Sequence, residues 1–225
     1  MLNKKAAVLW TGGKDCNLAL YEAKNKGYDV VALITFAMGN ARFLAHPIHF
    51  MKQQAQALNI PHVVILVQEP FKESYEAAIA QLRETYGIDT LVTGDIAEVH
   101  GNSNWITERS KPSGMNVYLP LWHLEREHIL QKLIELDFKT IFSCVKEPWF
   151  GKEWLGKEVS YEILEKLKVI HQLKGLDICG EQGEYHTLVL DGPEYKQELI
   201  IDSYTSHQED NMVYMKMDKI VLQEK

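Results

Sequence analysis

The sequence predicts an α/β protein built on a doubly wound parallel sheet, with a smaller C-terminal α+β lobe. Short β-branched apolar runs recur at residues 6–10, 29–35, 62–67 and 89–93, each ending in polar residues. Helical apolar spacing separates them. A pair of glycines, Gly12 and Gly13, follows the first run directly and leads into a helical stretch.

The run at 6–10 is apolar throughout, as suits a strand buried on both faces of a parallel sheet. Residues 18–23 then open a helix and complete the first β-loop-α unit. His46 and His49 flank Pro47 ahead of another helix. Phe71, Tyr75, Ala78, Ile79, Leu82 and Tyr86 recur at helical spacing and Gly87 supplies a stop, which reads as an amphipathic crossover helix. A last sheet strand is expected at 117–122. Such sheets bind ligands beyond the carboxyl ends of their strands, and the glycine loop stands at such an end.

The texture then changes, so the domain boundary is placed at residue 125, giving domains 1–125 and 126–225. The second carries a helix with Ile129, Leu133 and Ile134, a strand at 139–145, and a Trp- and Gly-bearing loop at 148–156. A helix capped by Ser160 and ended by Gly175 follows. Two β segments, 198–204 and 212–222, flank a polar turn and predict a terminal β-hairpin.

Composition narrows the function classes. Of 225 residues, 46% are hydrophobic and 24% charged, an ordinary globular balance, and no run approaches the roughly 18 apolar residues of a membrane span. No membrane partner is expected. The formal charge of −7 offers no general attraction for a polyanion, so nucleic acid is not expected either. Gly12 and Gly13 interrupt the N-terminal apolar run before a signal-peptide core could form, which points to a cytoplasmic location. Cys16, Cys144 and Cys179 lack C-x-x-C spacing and read as free thiols.

The stretch Thr11-Gly12-Gly13-Lys14-Asp15-Cys16, between a strand and a helix, is a phosphate-binding arrangement. Paired glycines let the backbone approach a ligand, and amides at the helix N-terminus attract anions. Lys14 adds charge and Thr11 a hydroxyl. Neither the Walker A pattern nor the dinucleotide spacing G-x-G-x-x-G is present. A second concentration of chemistry is Cys179-Gly180-Glu181-Gln182-Gly183-Glu184-Tyr185-His186-Thr187, followed by an apolar run and Asp191-Gly192-Pro193.

The first loop resembles the S-G-G-x-D-S loop of the ATP pyrophosphatase (PP-loop) superfamily, whose sheet is of the HUP, or adenine nucleotide alpha hydrolase-like, kind. Thr11 and Cys16 stand in place of its two serines. The second motif resembles G-E-x-G-E-[YF]-x-T with its apolar strand and D-G-P, the signature of the diphthine–ammonia ligase family. Other landmarks of that family recur in order at 54–61 (QAQALNIP), Thr93-Gly94-Asp95, Pro120-Leu121-Trp122 and Trp154-Leu155-Gly156-Lys157, so the resemblance spans Val8 to about Pro193. Gln182 replaces a family glycine, and the stretch after Asp95 lacks the family's arginine-bearing S-E-Y-Q-R segment. The flanks Cys-Gly-Glu and Tyr-His-Thr are similar to those of the bacterial branch, in which the fold would serve a carboxylate other than diphthine.

The resemblance implies an AMP-forming amide ligase that uses ATP and Mg²⁺, adenylates an acceptor carboxylate and passes the acyl group to ammonium or an amine. It makes the first domain the ATP-binding one and the second the acceptor domain. Gly12, Gly13, Lys14 and Asp15 would hold the phosphates, with Lys14 and Asp15 catalytic and Asp15 the metal ligand. Thr11, Cys16, Thr35, His49, Gly94 and Asp95 would line the nucleotide. Asp95 reads equally as a helix cap, and His49 as a solvated loop histidine. Glu181 and Glu184 would serve the acceptor and not the fold. A zinc set of Cys179, Glu181, Glu184 and His186 is disfavoured, because strand alternation sends neighbours to opposite faces. Trp149, Phe150 and Trp154 read as an acceptor lid or as packing. Two other functions stay open, a tRNA-modifying ATP pyrophosphatase and an ATP-binding sensor of the universal-stress type. So does a homo-oligomer.

Overall fold

Strand β1 (Lys5–Leu9) pairs in parallel with β2 (Asp29–Met38) on one side and β4 (Thr90–Val92) on the other, in a computed structural model that describes residues 4–98, 101 and 103–225. Met1, Leu2 and Asn3 of the charged start, and Val99, His100 and Asn102 in the stretch after Asp95, lie outside the described residues. With β3 (His62–Val67) and β5 (Asn116–Tyr118) the sheet is parallel in the order β3-β2-β1-β4-β5. The strand order reverses at β1 and β4, the switch point of a doubly wound sheet. Ala6, Ala7 and Val8 of β1 are wholly buried, as the unbroken apolar run requires.

Two compact units make up the chain. The first comprises Met1–Thr11, Asp15–Arg42 and Ile60–His123. It holds the parallel sheet with helices α1 (Lys14–Asn25, from its second residue), α3 (Phe71–Tyr86) and α4 (Trp105–Ser110). Its core joins Ala7, Ala32, Ile34 and Leu91 of the sheet to Ile79 and Leu82 of α3 and Ile106 of α4. Side chains so buried contribute about 1.5–3 kcal/mol each when large and aliphatic. Gly87 ends α3 with φ of 62°, as its position in the sequence suggested.

The second unit comprises Gly12–Lys14, Phe43–Asn59 and Leu124–Lys225. It contains α2 (Ile48–Leu58), α5 (Arg126–Glu135), α6 (Tyr161–Lys174) and an antiparallel sheet. The sheet order is β7 (Tyr185–Asp191), β6 (Lys139–Lys146), β9 (Met212–Glu224), β8 (Gln197–Glu209). Phe142, Phe150, Trp154 and Tyr185 pack ring against ring at centroid distances of 4.8–6.1 Å. Phe150 and Trp154 are therefore core residues of this unit. Ser160 caps α6 by accepting from Ile163 N at 3.3 Å, and Gly175 closes it with φ of 65°.

The structure shifts several expected boundaries. The strand expected at 117–122 is only Asn116–Tyr118, because Pro120 has no N–H for a ladder and the chain turns there, with Trp122 N donating to Leu119 O at 3.4 Å. The hairpin strands run further than expected, to a tight turn between Glu209 and Met212, since the polar residues Ser206, His207 and Gln208 pair across it with Met215, Tyr214 and Val213. Among the described residues no helix is long and apolar enough to cross a membrane.

Candidate functional site

The second unit grips the middle of the glycine loop. Gly12 has φ of +83°, and a Cβ there would sit 2.5 Å from Gln54 Oε1 and 3.3 Å from Met51 Cγ, so only glycine fits in both conformation and space. Gln54, wholly buried on α2, donates from Nε2 to Gly12 O at 2.9 Å and to Val189 O at 2.7 Å. Val189 N also donates to Gly12 O, at 3.1 Å. Lys14 N donates to Thr187 Oγ1 at 3.1 Å. The first motif is thus shaped by the strand that follows the second one. The Lys14 amide, expected among those offered to an anion, is engaged by Thr187.

Lys14 itself is buried, with Nζ 5.7 Å from the centroid of the Tyr185 ring, whose electron-rich face favours a cation. Tyr185 is held in place by its hydroxyl, which donates to Ile178 O at 2.6 Å. Next along β7, His186 Nδ1 lies 3.3 Å from His46 Nε2, the two rings nearly perpendicular at 84°. His46 Cε1 is 3.2 Å from the point a Gly13 Cβ would occupy, so the histidine beside the loop is His46. His49, the one expected to contact nucleotide, is exposed in the first turn of α2. Burial pushes the His186 imidazole below the ordinary histidine range, and the charges of Lys14 and Lys146 push it further the same way.

The turn before β7 is organised by Glu184. Its side chain is 1% exposed, with Oε1 accepting from Asp177 N at 2.9 Å and Oε2 from Gln182 N at 3.0 Å. The expectation that Glu184 is spared by the fold is corrected here: a buried carboxylate is stable when it accepts backbone N–H groups, and this one closes the turn. Glu181, on the same turn, is exposed. Gly180 has φ of +74°, and a Cβ there would lie 2.9 Å from Tyr185 O. Cys179 is turned inward, its Sγ donating to Arg126 O at 3.3 Å. Among the described residues no three of His, Cys, Asp and Glu converge as a metal site.

In the first unit, Gly94 follows β4 and its α-carbon abuts α1. A Cβ there would lie 2.6 Å from Asp15 C, 2.7 Å from Asp15 O and 2.8 Å from Cys16 N. The close approach of Gly94 to Asp15 and Cys16 at the start of α1 therefore rests on the missing side chain. Thr11 is exposed and donates to Cys16 Sγ at 3.7 Å, in place of the oxygen–oxygen pair two serines would make. Asp15 is partly buried in the first turn of α1. The Asp95 carboxylate accepts from Asn104 Nδ2, and Asn104 Oδ1 caps α4 by accepting from Thr107 N at 2.9 Å. Asp95 thus supports a helix cap. Thr35 is buried and donates to Trp10 O at 2.6 Å, with His62 Nε2 at 2.8 Å, so its hydroxyl ties the sheet rather than presenting itself to a nucleotide.

His46, Gln54 and Thr187 are thus brought to the loop without having been singled out as site residues. For Gln54 a signal existed: Phe50, Met51, Ala55 and Leu58 form the buried apolar face of α2, and a glutamine on that face must find buried hydrogen-bond partners.

Residues 4–117 match the diphthamide synthase N-terminal domain, and residues 125–222 match the diphthamide synthase C-terminal domain. A diphthine–ammonia ligase of Schizosaccharomyces pombe is 23% identical over 241 residues, covering 96% of this chain and 39% of the relative. The diphthine–ammonia ligase of Mus musculus is 22% identical over 251 residues, covering 98% of this chain and 93% of the relative. The chain thus spans well under half of the yeast protein and nearly all of the mouse one. Among solved structures, a predicted subunit of tRNA methyltransferase from Methanocaldococcus jannaschii is 18% identical, with a TM-score of 0.49 over 84% of this chain and 97% of that one.

Proposed function

The chain belongs to the diphthamide synthase family, and from that premise we propose that it is an ATP-dependent, AMP-forming ligase of the diphthine–ammonia ligase kind. The observation that carries this reading is the hold of Gln54, Thr187 and Val189 on the segment from Gly12 to Lys14. A glycine loop pinned by buried bonds in a single backbone course is pre-organised for phosphates, and it needs no rearrangement when charge develops there.

In this mechanism the triphosphate lies over the loop. An acceptor carboxylate oxygen attacks the α-phosphorus, the bond to pyrophosphate breaks, and the Lys14 ammonium stabilises the departing charge. Ammonia or an amine then attacks the acyl carbon, forming the C–N bond as the single bond between that carbon and the phosphate-bearing oxygen breaks, AMP leaves, and the nitrogen gives up a proton to solvent. Glu181, exposed on the turn that Glu184 closes, is the carboxylate we assign to the acceptor side.

Mg²⁺ is usually held by one or two carboxylates together with substrate phosphates rather than by a protein cage. A single carboxylate at the start of α1, Asp15, fits that mode, and no larger cluster converges among the described residues. Asp15 would hold Mg²⁺ with the phosphates, where the ion would neutralise their charge. The acceptor is a carboxylate on a protein or small molecule, free ammonium is the nitrogen source, and the setting is the cytoplasm.

The test is the stoichiometry of ATP consumption with ammonium chloride and candidate acceptors, beginning with diphthine-bearing elongation factor 2. AMP and pyrophosphate in equal amounts are expected. A Lys14→Ala variant should turn over about 10²-fold more slowly or worse. ADP and orthophosphate as main products would overturn the reading.

A further inference from the structure

The loop's neighbours include a histidine pair that the mechanism above leaves unused. His46 Nε2 and His186 Nδ1 are 3.3 Å apart, with ring centroids at 5.2 Å. His46 lies against Gly13, and His186 sits one residue before Thr187, which binds the Lys14 amide. The charged groups that act on His186 are Lys14 from α1 and Lys146 from β6. Both are cations. Without an anion at the loop the His186 imidazole is therefore disfavoured in its charged form, and one ring of the pair donates a hydrogen to the other.

We propose that the His46–His186 pair takes up a proton when a triphosphate occupies the glycine loop, becoming a second cationic element of the phosphate site beside Lys14. The inference rests on the loop being the phosphate site. A single added proton leaves the hydrogen bond between the rings in place and puts an N–H on the outer nitrogen, so the pair can change charge without changing shape. The polyanion offsets the two lysines that disfavour the charged form, so binding and protonation help each other. Nucleotide affinity then rises as pH falls from 8 towards 6, although the phosphates themselves lose charge in that direction.

The test is calorimetric titration of α,β-methylene-ATP, which cannot be cut at the α–β position, with Mg²⁺ in buffers of different ionisation enthalpy at pH 7.5. The wild-type protein should take up about half a proton or more per nucleotide. His46→Gln and His186→Asn keep an amide where the hydrogen-bonding nitrogen stood. Each should lose the uptake and bind about tenfold more weakly at pH 6.5, as expected for the loss of a charge-assisted contact. Histidine Cε1–H chemical shifts in the wild-type protein give a readout free of variants, and on saturation the shifts of the pair should together move by the equivalent of one imidazolium, on one ring or shared between the two. If the analogue binds and Lys14→Ala weakens it, yet there is no uptake and no shift, the pair has no such role and the loop assignment stands. If Lys14→Ala binds as well as wild type, the loop assignment fails and this inference falls with it.

Discussion

The side-chain amide of Gln54 donates to the carbonyl oxygen of Gly12 at 2.9 Å across 42 residues of sequence. Its second donor hydrogen reaches Val189 O at 2.7 Å, so one buried side chain ties α2, the glycine loop and β7 together within the second unit. Gln54→Met keeps the shape of the side chain and removes both donors. Gly12 O retains Val189 N as a partner, so the loss is partial rather than a fully orphaned carbonyl. We expect a destabilisation of about 1–3 kcal/mol, seen as a lower urea midpoint at unchanged slope. ATP binding should weaken more than stability alone explains, because the loop loses its fixed course. Unchanged affinity would show that β7 suffices to hold Gly12.

Gly94→Ala tests the first unit in the same way. The added Cβ would meet backbone atoms of Asp15 and Cys16 at 2.6–2.8 Å, and backbone cannot swing aside as a long side chain can. Overpacking of this kind costs about 1–3 kcal/mol. A matching Gly27→Ala change meets nothing within 4 Å, though its φ of +87° makes it strained for a different reason. Thermal melts should show Gly94→Ala destabilised, with nucleotide affinity reduced as the start of α1 is displaced. A crystal structure of the variant with α1 unmoved would reject the argument.

Much of the fold was legible because local signals agreed. The helix from Phe71 to Tyr86 follows from its apolar spacing and Gly87, and α6 from Ser160 and Gly175. The short helix α4 was not, since six residues cannot establish a period and its cap is Asn104 in a polar stretch. Grouping α2 with the second unit depends on bonds such as Lys196 N to Ala57 O, which no local pattern encodes. In the site, the glycine loop could be read from chain geometry, whereas Thr187 meets Lys14 across 173 residues. Glu184 misled for a simpler reason. Two glutamates crowded in a glycine-bearing turn read as groups kept for a substrate, and only the two backbone N–H groups that converge on Glu184 make its burial favourable.

That difference separates the two glutamates experimentally. Glu184→Gln would turn an amide N–H₂ towards either Asp177 N or Gln182 N, placing donor against donor in a buried turn. It should destabilise by about 1–3 kcal/mol. Glu181→Gln changes an exposed side chain and should stay within about 0.5 kcal/mol of wild type. If Glu181 serves the acceptor, that same change lowers acceptor-dependent AMP formation while ATP binding persists. Equal melting temperatures for the two variants would contradict the structural role given to Glu184.

The last prediction concerns acid. Burial first, then Lys14 and Lys146, hold the His186 imidazole below its usual range in the folded protein, whereas in the unfolded chain it titrates near the ordinary value of 6.5. Above that pH the residue is neutral in both states and proton binding is the same. As pH falls through 6.5 the unfolded chain takes up a proton that the folded protein refuses, so stability declines across the window from 6.5 down to the folded-state value. One group can contribute a slope of at most about 1.4 kcal/mol per pH unit there. Urea titrations of the nucleotide-free protein between pH 7.5 and 5.5 should therefore show stability lost on acidification. His186→Asn, which cannot titrate, should show a shallower loss over the same interval, and the difference between the two isolates His186 from the carboxylates that protonate at lower pH. Parallel profiles for the two proteins would mean that the folded protein accommodates the charged imidazole beside Lys14, and the neutral state assigned to His186 would have to be abandoned.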